Sequence, residues 1–306
     1  MKIDITTIPA GLVSIKEQKG YKVLKYKNKV FYNNLWDTHP IIKECRGMVL
    51  DVENNIVAWP FTKVFNIGEN GTKFPELPFC LVDKKNGFLG VLSIGTDGEF
   101  LFSTTGSLES EFVDMWRDMF WDYTQSKILD RDFVDLKLHL YNILTHITLM
   151  FEVCHPADPH IIKEDHGIYL IGGRSKSNQG MLLETELDII AGIFGWKRPE
   201  WRMVYTKEVL DKLLSECKHE GFMVRDFNGN IVAKAKSSHY LRRKLLARCS
   251  ENKISQIYNM GIEDLFEVGL EEEFVQIVTE LRYRYTAEQW ASMSQAERLK
   301  VLDNLG

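Results

Sequence analysis

Five basic and two acidic side chains in this sequence have types and spacings suited to chemistry at phosphorus. Lys84 lies in Lys84-Lys85-Asn86-Gly87, between the apolar runs Cys80-Leu81-Val82 and Phe88-Leu89. A lysine held at such a bend and desolvated on one side can give up its proton and attack an electrophile. Lys234 and Lys236 are two apart in Ile231-Val232-Ala233-Lys234-Ala235-Lys236, so they share one face of a strand and repel unless an anion lies there. Arg46 and Lys63 interrupt otherwise apolar segments, and a buried cation needs a carboxylate or a bound phosphate. Glu152, inside Leu149-Met150-Phe151-Glu152-Val153-Cys154, and Glu220, before Gly221-Phe222-Met223-Val224, are carboxylates next to apolar strands. Taken singly, each has an ordinary explanation: a solvated hairpin tip, a salt bridge, a hydrogen-bonded core acid, or an edge strand kept charged against aggregation.

The elements that would position these groups follow from periodicity. Residues 21–32 alternate as strand, turn and strand with Asn28 at the bend, and the Lys84 stretch reads as strand, tight turn, strand. Gly87 would let the backbone approach a ligand or adopt positive φ. Residues 90–105 read as a hairpin about Thr96-Asp97-Gly98. Residues 108–144 turn helical, with Phe112, Met115, Trp116, Met119 and Phe120 forming a core stripe. Further strands are expected at 149–154 and 167–173, then a helix at 184–194. A hairpin about Asn228-Gly229 carries Glu220 on one side and the lysine pair on the other.

With 306 residues, 44% hydrophobic and 26% charged, the chain has room for one large domain and a small one. No apolar run suits a membrane span, and the N-terminus lacks the pattern of a signal peptide. Five scattered cysteines (45, 80, 154, 217 and 249) without metal-type spacing suggest a reducing, cytoplasmic setting. The net charge of −5 is uneven. Residues 249–306 hold 11 acids and 5 bases, which leaves residues 1–248 at +1, so a local phosphate-binding groove is compatible with the overall acidity.

Lys84-x-Asn-Gly, Phe-Glu152-Val, Glu220-Gly-Phe-Met-Val and Lys234-Ala-Lys236 resemble, in order and spacing, four motifs of the covalent nucleotidyltransferases. With Glu44-Cys-Arg46-Gly, Lys63-Val-Phe-Asn and Tyr21-Lys-Val-Leu-Lys-Tyr26, the chain from about 20 to 240 resembles the phage RNA ligase 1 family. That resemblance implies an ATP-dependent ligase that joins a 3′-hydroxyl to a 5′-phosphate of RNA through lysyl-AMP and RNA-adenylate, in RNA repair. A nicked tRNA anticodon is the kind of substrate it suggests. Lys84 would be the nucleophile, Lys234 and Lys236 would contact the α-phosphate, and Arg46 and Lys63 would hold the outer phosphates. Glu220 would place Mg²⁺ or its waters, with Mn²⁺ as an alternative, Glu152 would contact the nucleoside ribose or metal-bound water, and Tyr26 would line the nucleotide pocket. Two positions depart from the pattern: Asn86 replaces the usual aspartate, and Thr105 stands where a lysine precedes Gly-Ser.

The implied fold is α+β: a nucleotidyltransferase (ATP-grasp-like) domain of antiparallel sheets flanked by helices, residues 1–238, and a small all-α C-terminal domain, 239–306. The active site would lie between sheets. The C-terminal part opens with Ser238 as a cap and four bases, Arg242, Arg243, Lys244 and Arg248, and has breaks near Gly261 and Gly269. Lys244 and Arg248, four apart, are candidates for RNA phosphate contacts; docking the acidic tail is their other use. A DNA ligase, a GTP-dependent capping-type enzyme and a catalytically degenerate RNA-binding protein are the competing functions.

Overall fold

A computed structural model describes residues 1–9, 11–126, 133–158, 160–248, 258–261 and 274–305. Among these residues, twelve strands form three antiparallel sheets of four. The first sheet, in the order β1-β2-β3-β4, contains Val13–Gln18, Tyr21–Tyr26, Arg46–Leu50 and Ile56–Ala58. The second, β10-β5-β11-β12, contains Trp201–Val204, Phe79–Asp83, Gly221–Arg225 and Ile231–Lys236. The third, β7-β6-β8-β9, contains Phe100–Ser103, Phe88–Ile94, Ile147–Cys154 and Gly167–Ser175.

Each sheet buries what its sequence dictates. The third has one face covered by helices α2 (Glu111–Gln125), α3 (Phe133–His146) and α4 (Glu184–Phe194). Ser110 caps α2 by accepting from the Val113 amide, and Trp116, Met119 and Phe120 meet Phe151 and Trp196 in one core. Val23, Val49 and Val57 of the first sheet pack on Val91, Leu101 and Met150 of the third, while Leu24, Met48 and Leu50 form a separate core with Val30, Trp36 and Ile42. Helix α5 (Lys207–Glu216) covers the second sheet through Leu210, against Phe79 and Phe222. The second and third sheets are tied ionically. Glu184 accepts from Arg198 and pairs with Arg225 Nε at 2.8 Å, and these guanidiniums also donate to the carbonyls of Leu170 and Leu182.

The tail forms its own apolar cluster. Leu245, on α6 (Ser238–Arg248), packs with Phe274, Val278, Leu281, Trp290, Leu302 and Leu305 from beyond and within the helices Val275–Arg284, Ala287–Ser292 and Gln295–Asp303. No helix among the described residues is long and apolar enough to cross a membrane.

Several sequence expectations change. The hairpin at 21–32 is instead formed by β1 and β2 about Lys19 and Gly20, both at positive φ, and residues 28–32 make a short helix, α1 (Asn28–Tyr32), that buries Val30. The partner of β2 lies upstream, in a strand whose exposed face hid its alternation. The helical stretch 108–144 is two helices separated by residues outside the described set. Strand β10, only four residues long, and helix α5, whose Thr206 cap and apolar stripe of Leu210, Leu213 and Leu214 are visible in the sequence, were not expected. Ser237, not Ser238, caps α6: its Oγ accepts from the Tyr240 amide and donates to the His219 carbonyl. The break near Gly269 lies outside the described residues. Cys45, Cys80, Cys154 and Cys217 are buried free thiols.

Candidate active site

Lys84 is held at a passage between two sheets. Strands β5 and β6 are consecutive yet unpaired: β5 lies between β10 and β11, and β6 between β7 and β8. The four residues joining them are fixed at both ends. The Lys84 amide donates to the Gly221 carbonyl at 2.8 Å, and the Gly87 amide donates to Glu152 Oε1 at 2.9 Å. A Cβ on Gly87 would sit 2.3 Å from the Val153 carbonyl oxygen. The glycine is therefore required by close packing on β8, and its φ is not in the positive range.

Around this passage the chain gathers the predicted groups. Lys84 Nζ lies 2.8 Å from Glu220 Oε2, with the lysine side chain 22% exposed and the glutamate 5%. The contact is an ion pair. Burial would lower the lysine pKa, but the charges of Glu220 and Glu152 outweigh it, so Lys84 is held above its ordinary value. Burial raises the Glu152 pKa against the opposing influence of Lys84 and the Gly87 amide.

The cations lie nearby. Lys234 is pushed well below its ordinary pKa, first by burial and then by Lys63, Lys236, Arg46 and Lys84, which places it close to all four. Its β12 position is also joined to the Lys63 segment: the Lys234 amide donates to the Phe65 carbonyl at 2.9 Å, and the Ile67 amide donates to the Lys234 carbonyl at 2.8 Å. Lys63 Nζ lies 4.9 Å from both the Trp36 and Phe65 ring centres and 3.9 Å from Glu69. Lys236 Nζ lies 5.8 Å from the Tyr240 ring centre. Arg46 opens β3 beside a bulge: Leu24 faces Met48 but Lys25 faces Arg46, leaving Gly47, at φ +92°, as the extra residue. A Cβ on Gly47 would meet Thr104 O and Thr105 Cα at 2.9 Å, so the bulge also seats the Thr105 turn. The Arg46 side chain has no hydrogen bond or ion pair among the described residues.

Other expected positions fall at the margins. Tyr26 meets Trp36 edge-on at 4.8 Å between ring centres, in the row Tyr26-Trp36-Phe65 that leads to Lys63. Asn86 is 7% exposed, and its Nδ2 is buried without a hydrogen-bond partner. Next to Thr105, the Lys25 side chain runs along Gly106. Lys244 is 5% exposed, with its Nζ 5.4 Å from the Phe274 ring centre inside the tail cluster. Arg248 ends α6, and its side chain lies outside the described part. Arg242 and Arg243 reach the chain end at Asp303 and Leu305.

Two residues not singled out from sequence also build the site. Glu44 accepts from Trp59 Nε1, Thr62 Oγ1 and Arg174, fixing the segment that bears Lys63. Lys85, the neighbour of Lys84, is turned away into an ion pair with Glu164 at 3.1 Å. The only signal for Glu44 was its place beside Cys45-Arg46-Gly47.

Residues 44–253 match the model of a family described as RNA ligase. The chain belongs to the RNA ligase family. Its fold is shared with solved ligases of low sequence identity. An archaeal ATP-dependent RNA ligase is 14% identical with a TM-score of 0.57, covering 96% of this chain and 73% of that one. A putative ATP-dependent DNA ligase from Aquifex aeolicus is 17% identical with a TM-score of 0.53, covering 95% and 73%. No curated protein matches by sequence. The matched residues of this RNA ligase contain Arg46, Lys63, Lys84, Glu152, Glu220, Lys234 and Lys236, whereas Lys25 and Tyr26 precede them.

Proposed function

We propose that this RNA ligase uses ATP to seal a 3′-hydroxyl to a 5′-phosphate through lysyl-AMP on Lys84. The observation that carries the reading is Lys84 paired with Glu220 and held within electrostatic reach of Glu152 and of a group of cations that includes Arg46. Lys84 Nζ, once deprotonated, attacks the α-phosphorus of ATP. An N–P bond forms, the P–O bond to pyrophosphate breaks, and the amine proton passes to solvent. Charge developing on the phosphoryl oxygens is met by Lys234 and Lys236, while Arg46 and Lys63 take the departing pyrophosphate. The RNA 5′-phosphate then displaces Lys84 from AMP, and the 3′-hydroxyl displaces AMP from the RNA-adenylate.

The donor set fits a hard divalent cation. No group of three or more His, Cys, Asp or Glu among the described residues could hold a metal, so Glu220 and Glu152 would share it with water and phosphate oxygens, as suits Mg²⁺ or Mn²⁺. Such an ion would supply charge neutralisation at the phosphates. Residues 1–238 act as the adenylyltransferase and 239–306 as a helical appendage, a division supported by the separate tail core and the Ser237 cap. A cleaved single-stranded loop such as a nicked tRNA anticodon, in the cytoplasm, is the substrate we favour.

Incubation with labelled ATP or GTP and a divalent metal, then denaturing electrophoresis and peptide mapping, tests this reading. An acid-labile, base-stable AMP adduct on Lys84 is expected, lost in Lys84→Ala. An adduct on Lys85, or one formed from GTP alone, overturns it. The fold shared with a putative DNA ligase makes DNA joining the second reading, which matched nicked RNA and DNA substrates separate.

A further inference from the structure

Lys25 and Arg46 face each other in register across β2 and β3. Directly opposed residues of an antiparallel pair leave the same face with Cβ atoms about 5 Å apart, and like charges so placed are destabilising. No carboxylate relieves this pair: neither side chain has a hydrogen bond, ion pair or ring contact among the described residues. The juxtaposition is built by two close approaches. Gly47 bulges because a Cβ there would strike the Thr104–Thr105 backbone, and this seats the Thr105–Gly106 turn beside β3. Gly106 then lies along Lys25, where an added Cβ would come 3.2 Å from Lys25 Cδ and 3.4 Å from its Nζ. Lys25 is thereby lodged alongside the Thr105–Gly106 turn, on the strand position paired with Arg46. A tetrahedral dianion between the two cations would remove their repulsion and satisfy both.

We propose that Lys25 and Arg46 form a phosphate-binding pair at the rim of the cleft that takes the 5′-phosphate of the RNA to be joined. Arg46 lies within electrostatic reach of both Lys84 and Lys234, so it belongs to the reacting centre, whereas Lys25 is exposed. A phosphate bridging them would reach from solvent toward the lysyl-bound nucleotide, the path an incoming 5′ end must take. ATP phosphates lying deeper, against Arg46, Lys63 and Lys234, are the other source of the same chemistry. A depression of about 420 Å³ at the β1–β2 turn, lined by Gln18, Gly20, Tyr21 and Val52 among others, includes none of these cations.

The inference rests on the ligase reading, and its test separates the two. Affinities for matched RNA oligonucleotides with 5′-phosphate or 5′-hydroxyl are measured by fluorescence anisotropy for the full chain, Lys25→Ala, Lys25→Arg and a Lys16→Ala surface control. A preference of roughly tenfold for the 5′-phosphate is expected in the wild type and the control, reduced to about twofold in Lys25→Ala and restored in Lys25→Arg. The salt slope for phosphorylated RNA should fall by about one ion equivalent in Lys25→Ala. An unchanged preference in Lys25→Ala overturns the proposal. So does a loss confined to ATP binding, which would assign the pair to the triphosphate. Lysyl-AMP formation by the wild-type chain tests the ligase reading independently.

Discussion

Lys84 Nζ and Glu220 Oε2, 2.8 Å apart, link a residue between two sheets to the start of the neighbouring strand β11. This pair keeps the nucleophile protonated without ligands, because the carboxylates overcome the burial that would favour the neutral amine. Glu220→Gln should lower the Lys84 pKa and move the pH at which Lys84 reacts with an amine-directed reagent to lower values. Peptide mass spectrometry of metal-free protein across pH reads this directly, and a shift to higher pH would contradict the assigned balance. A raised lysine pKa stabilises the fold below the unfolded value, and that stability is lost only as pH rises through the folded one. Neutral-pH stability should therefore not vary through this group.

Lys234 has the opposite sign. Its folded pKa is depressed, so its charge costs stability at low pH. That cost is relieved as pH rises from the folded value toward the unfolded value of about 10.4. Lys234→Met should leave thermal stability equal or higher, flatten the stability rise in that window, and reduce stabilisation by pyrophosphate. Lysyl-AMP formation should lose about 2–4 kcal/mol of transition-state stabilisation, as for other electrostatic donors, and Lys236→Ala should behave similarly. Single-turnover kinetics check the loss, and near-normal rates would return both lysines to the role of a charged strand face.

Gly87→Ala should be among the most damaging small changes in the chain. The new methyl would need the space of the Val153 carbonyl oxygen, 2.3 Å away. Moving β8 or the passage should cost about 3 kcal/mol or more in denaturant unfolding. Gly20→Ala is the comparison: nothing lies within 4 Å of the added Cβ, and only its positive φ opposes the substitution.

Lys244 should behave as a tail-docking residue. Its ammonium lies over Phe274 inside the tail cluster, so Lys244→Ala should lower stability by about 1–2 kcal/mol while RNA affinity and its salt slope stay near wild type. Thermal unfolding and RNA titrations over a salt series check both parts. A weakened salt slope with unchanged stability would restore the phosphate-contact role.

The sequence made the chemistry more legible than the architecture. Lys84, Glu220 and Lys234 announce themselves because charges within apolar strands need partners, and the structure brings them together. The β11–β12 hairpin was legible in Asn228-Gly229, whose glycine takes the positive φ that the turn demands. Strand β1 was not, since only Val13 of its six residues is buried and so no alternation marks it. The Gly47 bulge was equally hidden, because it depends on Thr104 and Thr105 arriving from another sheet. Lys244 was ambiguous for a related reason: a basic helix face suits phosphate contact and tail docking alike, and Phe274, whose ring lies beside its ammonium, is thirty residues on in sequence.

The passage from Lys84 to Gly87 gives the nucleophile two independent references. One end is registered by the backbone of Gly221, the other by Glu152 and the Val153 carbonyl. A core substitution that thins the layer beneath only one sheet would therefore appear first as a misaimed amine, with every strand still in place. Activity and stability should then diverge among core variants: changes around Phe222 or Phe151 can retain a folded, cooperative chain that has lost its alignment. Compensation would come from resizing the opposite layer, because the distance between the two references, rather than either position, is what the reacting atom inherits.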